Sequence, residues 1–159
     1  MYSMLVLGVI GAGGRFTGCN PAYTAAELNH HIRITNARFL ITDIDLYQKV
    51  TIMVEQSSIP PTRVFFLEPA DQTLPANCNC IQDLLKNGEV DWVRLHSAEI
   101  AKSTTAALLS TSGTTGFPKA AMMSHYSCIV LSHLLSDSKQ KPYEVRALDL
   151  VLLIGLIAW

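Results

Sequence analysis

Residues that bind anions well are concentrated between Thr111 and Lys119. The stretch reads TSGTTGFPK, follows an apolar run that ends at Leu109, and contains no acidic residue. Glycines let backbone N–H groups approach an anion, hydroxyl groups add donors, and lysine adds a mobile positive charge. Each hydrogen bond to a charged oxygen contributes about 1.5–3 kcal/mol, so several together can hold a triphosphate. A polar surface turn has the same composition, so composition alone leaves a phosphate-binding loop and a plain turn both open.

Other well-known nucleotide and hydrolase motifs do not fit the chain. A Walker A loop requires G-x4-G-K-[ST], but Pro118 replaces the second glycine and Ala120 replaces the hydroxyl residue that holds magnesium. Gly11 and Gly13 begin a G-x-G pattern, yet Phe16 occupies the position of the last glycine of a dinucleotide fingerprint. The chain has no G-x-S-x-G element, so a serine hydrolase has no support. We therefore expect neither a P-loop NTPase nor a serine hydrolase.

The cysteines and histidines do not form a metal-ligand pattern. The cysteines are Cys19, Cys78, Cys80 and Cys128, of which only the C-x-C pair is close, and no second pair completes a zinc set. The thiols fit a reducing compartment, with Cys19 and Cys128 as small apolar fillers. We predict no metal site and assign no catalytic residue.

Two pairs of histidines are also poor metal ligands. His30 and His31 are adjacent and must point in different directions on a helix, and His125 and His133 lie about 80° apart around one. His125 is expected to be a surface histidine at a helix start. Trp92 is expected to be a packing residue.

Composition and charge restrict the class of protein. The 159 residues suit one domain, and 49% hydrophobic with 16% charged residues excludes a disordered chain. The net charge is −1 without a long basic or acidic run, so we expect neither nucleic acid nor an anionic membrane as a partner. The apolar segments at 4–12 and 150–159 lack the pattern of a signal peptide and the length of a membrane span. We expect a cytoplasmic location.

Alternating helical and extended patterns predict an α/β fold with a largely parallel sheet flanked by helices. Three apolar segments predict strands, at 37–43, 62–68 and 105–109, and these should share one sheet. Thr24 and Glu27 have capping-box spacing for a helix that runs to about Thr35. Further helices are expected at 46–56, from Cys80, and from a Ser124 cap to about 135, with a short strand at 120–123. Residues 16–23 and 69–79 are expected to be loops.

The order of residues in the glycine-rich stretch resembles a known family signature. STSGTTGFPKAAMMSH is similar to [ST]-S-G-T-T-G-x-P-K-G, the phosphate-binding signature of the adenylate-forming (AMP-binding) superfamily, with Ala120 in place of the last glycine. The upstream segments GAGGRFTGCNPAYTAAEL and ARFLITD also resemble acyl- and aryl-CoA synthetases, and the nearest group is the 4-coumarate–CoA ligase-like enzymes of fungi. The resemblance extends from about Met4 to Ser136.

The resemblance implies an activity and its participants. Enzymes of this family join a carboxylic acid to the α-phosphate of ATP, release pyrophosphate, and pass the acyl group to the thiol of coenzyme A. The resemblance therefore implies ATP, Mg²⁺ and coenzyme A as cofactors and a small carboxylic acid as the partner. A peroxisomal location is possible for a full-length relative. By position, the residues implied to bind the ATP phosphates are Thr111, Ser112, Gly113, Thr114, Thr115, Gly116 and Lys119.

The resemblance also implies that residues 1–159 are a fragment, a partial AMP-binding (adenylation) domain without the C-terminal domain that supplies a catalytic lysine. ALDLVLLIGLIAW starts where the acyl-pocket strand of the family should lie, but it contains no histidine. We expect a truncated gene copy or a mis-spliced gene, with no synthetase activity in this chain as it stands. The alternative is a non-catalytic nucleotide-binding remnant or pseudogene product. We also expect the loop at 113–119 to be exposed and poorly ordered without nucleotide.

Overall fold

The computed structural model describes residues 2–67, 74–75, 78–111, 119–137 and 154–158. Within these ranges the helices are α1 (Tyr2–Gly11), α2 (Ala25–Thr35), α3 (Tyr47–Glu55), α4 (Ile81–Leu85), α5 (Ala98–Ser103) and α6 (His125–Asp137). The strands there are β1 (Arg15–Cys19), β2 (Ala37–Asp43), β3 (Val64–Leu67), β4 (Asn79–Cys80), β5 (Thr105–Thr111), β6 (Lys119–Ser124) and β7 (Ile154–Ala158). Single 3-10 turns precede α3 and β3, at Ile44–Leu46 and Pro61–Arg63.

All the described strands lie in one sheet, in the order β4-β3-β2-β7-β1-β5-β6. Strands β4, β3 and β2 pair in parallel, and β1 pairs in parallel with β5. Because β7 is antiparallel to both β1 and β2, those two strands run in the same direction, and β6 is antiparallel to β5. The predicted α/β class with a largely parallel sheet is confirmed, and the three predicted strands share the sheet as β2, β3 and β5.

Two short strands occupy segments that the sequence analysis predicts as loops. Arg15–Cys19 forms β1, and Asn79–Cys80 forms β4 at the sheet edge. Strand β1 is paired on both sides, with Phe16 opposite Ala107 of β5 and Ile157 of β7. Its partners come from distant parts of the chain, and that long-range pairing, rather than a local pattern, makes RFTGC a strand. The loop predictions are therefore wrong for residues 16–19 and for Asn79, and Cys80, predicted to begin a helix, is the strand residue just before α4.

Helix α2 begins and ends where the sequence predicts. The Thr24 hydroxyl accepts a hydrogen bond from the Glu27 amide at 3.3 Å, and the Thr24 amide donates to the Glu27 carboxylate at 2.8 Å. This reciprocal pair satisfies two amides that the first turn would leave unpaired. After Thr35 the chain turns through Asn36, whose φ of 52° is left-handed, and the helix ends.

The main core lies between α2, α3 and the face of β2. Leu28 and Ile32 of α2 and Val50 and Met53 of α3 are almost fully buried against Leu40 of β2. The apolar face predicted for the segment 46–56 is confirmed, although its first residue, Leu46, belongs to the preceding 3-10 turn. Because these residues lie at helical spacing, burial of one stripe from each helix fixes both helices on the sheet.

The predictions for the second half of the chain are confirmed for β6 and α6. The amide of Ser127 donates to the hydroxyl of Ser124 at 3.2 Å, which caps the first turn of α6. Trp92 packs against the end of α1, where a Cβ atom built on Gly11 would lie 2.8 Å from the indole ring. Trp92 as a whole is nevertheless 60% exposed. None of the helices described here is long and apolar enough to cross a membrane.

Candidate functional site

The base of the glycine-rich loop is a closed antiparallel hairpin. Strands β5 and β6 pair along their length, and the pairing ends at Thr111 opposite Lys119. The hydroxyl of Thr111 donates to the main-chain carbonyl of Lys119 at 3.2 Å. The two residues that flank the segment 112–118 are therefore held side by side at one end of the sheet.

The structure brings together the first and last of the predicted phosphate-binding residues. Thr111 is the last residue of β5 and Lys119 is the first residue of β6, and both side chains are exposed. The other predicted site residues lie outside the described residues, namely Ser112, Gly113, Thr114, Thr115 and Gly116. The expectation of an exposed, poorly ordered loop also falls on that segment, and only the exposure of Lys119 itself is seen.

Lys119 carries a charge that no described acidic residue pairs with. In the described part of the chain the ion pairs join Lys86 to Asp83 and Arg94 to Asp91, and none involves Lys119. An exposed ammonium group at the end of a glycine-rich segment favours an anionic ligand over a cation.

A buried polar chain of hydrogen bonds lies behind the hairpin base. The Thr17 hydroxyl of β1 donates to the Leu108 carbonyl of β5 at 2.7 Å. The same hydroxyl lies 3.0 Å from Nε2 of His31, and Nδ1 of His31 lies 3.5 Å from the Ser110 hydroxyl, a long contact. His31 is 1% exposed and Thr17 is fully buried. These hydrogen bonds therefore join α2 and β1 to the last part of β5.

Burial favours the neutral form of the His31 imidazole. Loss of solvation lowers the pKa of His31, and the neighbouring His30 lowers it further. The prediction that His30 and His31 point in different directions is confirmed, since His30 stays partly exposed.

Sequence reasoning missed His31 as a buried polar group, although a signal was present. Leu28, His31, Ile32 and Thr35 follow the spacing i, i+3, i+4 and i+7, and all four are buried. That spacing defines one face of a helix, and Leu28 and Ile32 mark it as the core face. A histidine on such a face must find hydrogen-bond partners inside the fold, so its position predicts a buried polar contact.

Three of the cysteines are unsuited to act as nucleophiles. Burial raises the pKa of Cys19 to about 12, and it also raises the pKa of Cys78 and Cys128. A thiol with a raised pKa is neither a ready nucleophile nor a ready metal ligand. Cys19 is a buried core residue, as predicted, and Cys128 is half-buried with its sulfur 3.2 Å from that of Met123.

The histidines predicted to be poor ligands are not gathered into a site. The amide of His125 donates to the Thr104 carbonyl at 3.1 Å at the start of α6, and its side chain is partly buried. Throughout the described ranges, no group of three histidine, cysteine, aspartate or glutamate side chains is placed to hold a metal ion.

The chain is similar to a group of fungal ligases. It is 39% identical over 145 residues to Acyl-CoA ligase azaF of Aspergillus niger, covering 90% of this chain and 27% of the relative. It is 38% identical over 145 residues to Phenylacetyl-CoA ligase epaB of Aspergillus niger, with the same coverage of both chains. It is 39% identical to Acyl-CoA synthetase ACTT5 of Alternaria alternata, covering 88% of this chain and 24% of the relative. The chain thus spans about a quarter of the length of these curated relatives.

Solved structures share the same fold. ATP-bound MatB from Rhodopseudomonas palustris aligns with a TM-score of 0.59 at 26% identity, over 84% of this chain and 24% of that one. An acyl-CoA synthetase from Brucella canis aligns with a TM-score of 0.59 at 20% identity, over 77% of this chain and 21% of that one. The AMP-binding enzyme family matches residues 2–155, almost the whole chain. The chain therefore belongs to the AMP-binding enzyme family, the adenylate-forming superfamily that its glycine-rich stretch resembles.

Proposed function

We propose that this chain is the phosphate-binding part of an ATP-dependent acyl- or aryl-CoA synthetase of the 4-coumarate–CoA ligase-like type. The observation that carries the proposal is the hairpin base at Thr111 and Lys119, which flanks the sequence SGTTGFP in a member of the AMP-binding family. Within that proposal, residues 1–159 are one part of an adenylation domain.

The proposed role of the loop is to hold the β- and γ-phosphates of ATP. The backbone amides and hydroxyls of residues 112–116 and the Lys119 ammonium group would supply the donors. The Thr111 hydroxyl would join them by exchanging its hydrogen bond to the Lys119 carbonyl for one to a phosphate oxygen. A carboxylate oxygen of the acid attacks the α-phosphorus, and the bond from that phosphorus to pyrophosphate breaks. Because negative charge grows on the pyrophosphate as this bond breaks, donors placed there stabilise the transition state more than the bound substrate.

The second step transfers the acyl group to coenzyme A. The thiol sulfur attacks the acyl carbon, the bond to AMP breaks, and a thioester forms as the thiol proton is lost. No cluster of three histidine, cysteine, aspartate or glutamate side chains lies among the described residues, so we assign no residue of this chain to Mg²⁺. A magnesium ion that enters with ATP would be held chiefly by the phosphates.

The class of acid is proposed from the relatives. Their names include a phenylacetyl-CoA ligase and, at 31% identity, a nicotinic acid-CoA ligase of Aspergillus fumigatus. Both acids carry an aromatic ring, so we propose an aromatic or arylalkyl carboxylic acid as the substrate of the intact enzyme.

We further propose that residues 1–159 alone bind nucleotide without forming a thioester. The residues matched here hold the leaving group, and no residue of this chain is assigned to the α-phosphate or to coenzyme A. Positioning and charge stabilisation supply most of the rate in such transfers, and each missing element costs orders of magnitude.

A segment exchange tests the proposed function. Residues 2–155 replace the matching segment of the Aspergillus niger acyl-CoA ligase, and thioester formation is followed with ATP, coenzyme A and a panel of aryl and fatty acids. We expect ATP- and acid-dependent thioester formation that is lost in the same exchange carrying Lys119→Ala. A folded exchange protein that forms no acyl-adenylate would favour the alternative, a non-catalytic nucleotide-binding remnant.

The isolated chain is assayed in parallel for pyrophosphate release. We expect no acid-dependent release above the level of the Lys119→Ala variant. Release well above that control would contradict the proposal that the chain is inactive by itself, while still supporting a synthetase.

A further inference from the structure

A buried histidine lies directly behind the residues that lead into the phosphate-binding loop. His31 of α2 contacts Thr17 of β1 and Ser110 of β5, and Thr17 in turn contacts Leu108 of β5. The Thr17 hydroxyl contacts the main-chain carbonyl of Leu108, and Ser110 follows two residues later on the same strand. Thr111, which follows at once, closes the hairpin with Lys119.

The hydrogen bonds determine which nitrogen of His31 carries the proton. The Thr17 hydroxyl has one proton, and it is donated to the Leu108 carbonyl at 2.7 Å. Toward His31, 3.0 Å away, Thr17 can then only accept, so Nε2 must donate. In the neutral ring Nδ1 is left as an acceptor, and it faces the Ser110 hydroxyl.

Helix α2 is held firmly in the fold, so a contact from α2 can restrain the position of β5. Its first turn is fixed by the Thr24 capping box, and Leu28 and Ile32 are buried in the main core. His31 also contributes its carbonyl to the Thr35 hydroxyl at 2.7 Å, inside the same helix. A side chain that reaches from this helix to β5 therefore restrains the strand relative to the core.

We propose that His31 is a positioning residue for the phosphate-binding loop, which as an Nε2-protonated imidazole ties α2 and β1 to the end of β5 and so fixes Ser110 and Thr111. The inference rests on the proposed function for its consequence at the nucleotide. Its structural part, the restraint on β5, stands on the hydrogen bonds alone.

Two substitutions separate this role from simple filling of space. His31→Gln keeps a donor and an acceptor on one side chain, so it can still donate to Thr17 and accept from Ser110. His31→Leu fills a similar volume but offers neither group, and it leaves the polar partners to rearrange. The matched control is His30→Leu, the same change on the neighbouring residue, which points away from this network.

The experiment uses ¹⁵N-labelled residues 1–159. The imidazole ¹⁵N shifts of His31 report its tautomer at pH 7. Amide hydrogen exchange reports how strongly the backbone amides of Ser110 and Thr111 are protected, and a titration reports the affinity for ATP. Exchange at Leu40 and Ile41 of β2 serves as the internal reference for global stability.

We expect the Nε2–H tautomer, exchange at least tenfold faster at Ser110 and Thr111 in His31→Leu with β2 unchanged, and ATP binding at least tenfold weaker. His31→Gln should stay within threefold of the parent in both readouts, and His30→Leu should match the parent.

A charged ring or the Nδ1–H tautomer in the parent chain would overturn the proposal without any variant being needed. A folded His31→Leu chain with unchanged exchange at β5 would also overturn it. If the parent binds no ATP but His31→Leu loosens β5, the proposed function fails while the positioning role is supported.

Discussion

Thr111 and Lys119 each serve the hairpin and the candidate site at once. Their backbones are the last pair of the β5–β6 ladder, and the Thr111 hydroxyl donates to the Lys119 carbonyl. The Lys119 ammonium group makes no ion pair with any other described residue. Because the ends of the loop are already fixed by this pair, the Lys119 ammonium group can bind an anion with little further ordering of the loop ends.

The buried imidazole of His31 makes stability depend on pH. Because burial lowers its pKa in the folded state, the unfolded chain binds a proton more readily. The stabilisation is therefore complete above the ordinary pKa of about 6.5 and is lost as the pH falls through the lowered pKa. We expect the free energy of unfolding to fall between pH 7 and pH 5, and His31→Gln to remove part of that fall.

Urea denaturation at pH 7, 6 and 5 measures this difference. The contribution of one group cannot exceed about 1.4 kcal/mol per pH unit. Glu27 and Asp83, whose pKa values are lowered by hydrogen bonds to Thr24 and Lys86, lose their contribution at more acidic pH. His30→Gln is the matched control. Equal pH dependence of the parent and His31→Gln would contradict the account.

At the scale of elements, local signals predicted helices α2, α3, α4 and α6 and the strands that carry strong apolar runs, whereas helix α5 was not predicted. The Thr24 capping box and the apolar spacing in α2 were sufficient to place that helix, and ARFLITD was sufficient for β2. Strand β1 was missed because RFTGC is short and carries a glycine. Its stability comes from pairing with β5 and β7, which local reasoning does not reach.

The candidate site could be predicted only in part from the sequence, because its geometry also depends on contacts between residues that are far apart in the chain. The order of residues in the glycine-rich stretch indicates phosphate binding, but the closure of its base depends on the register that sets Thr111 opposite Lys119. The network of Thr17, His31 and Leu108 joins three elements that are far apart in the sequence. In the sequence, only the helical spacing of His31 indicates that this network exists, and that signal was missed.

Gly13 in the turn between α1 and β1, and Gly8 within α1, together test the backbone conformation of this region. Gly13 has a φ of +81°, and an added Cβ atom would lie 3.1 Å from Val93, whereas Gly8 lies within α1 with nothing within 4 Å of an added Cβ. We expect Gly13→Ala to lower the free energy of unfolding by about 1–2 kcal/mol. Gly8→Ala should raise it by about 0.5–1 kcal/mol, because alanine favours a helix interior.

Equilibrium urea unfolding of the two variants and the parent gives both changes. If the two substitutions shifted stability in the same direction by similar amounts, the conformation assigned to the turn would be wrong.

At the scale of the whole molecule, α6 leaves an apolar face exposed. Tyr126, Ile129, Val130, Leu131 and Leu134 are all exposed, and we call them the α6 face. Apolar surface of this kind favours association. We expect the purified chain to self-associate, and Leu134→Glu to raise the concentration at which it stays monomeric.

Sedimentation velocity over a range of concentrations measures this effect, with Ser132→Glu as the control that adds the same charge to the same helix. Thermal unfolding shows whether the fold is kept. A folded Leu134→Glu chain that associates as strongly as the Ser132→Glu control would show that the α6 face does not drive association.

The most direct test of the central claim, that the chain holds the outer phosphates of ATP, is calorimetric titration with ATP and with AMP. We compare the parent, Lys119→Ala, and Lys86→Ala as a control that removes a lysine already paired with Asp83. The account predicts tighter binding of ATP than of AMP, and a loss of about tenfold or more for ATP in Lys119→Ala alone, since a charge-assisted hydrogen bond contributes about 1.5–3 kcal/mol. Equal affinity for ATP in the parent and Lys119→Ala, or equal losses for ATP and AMP, would contradict it.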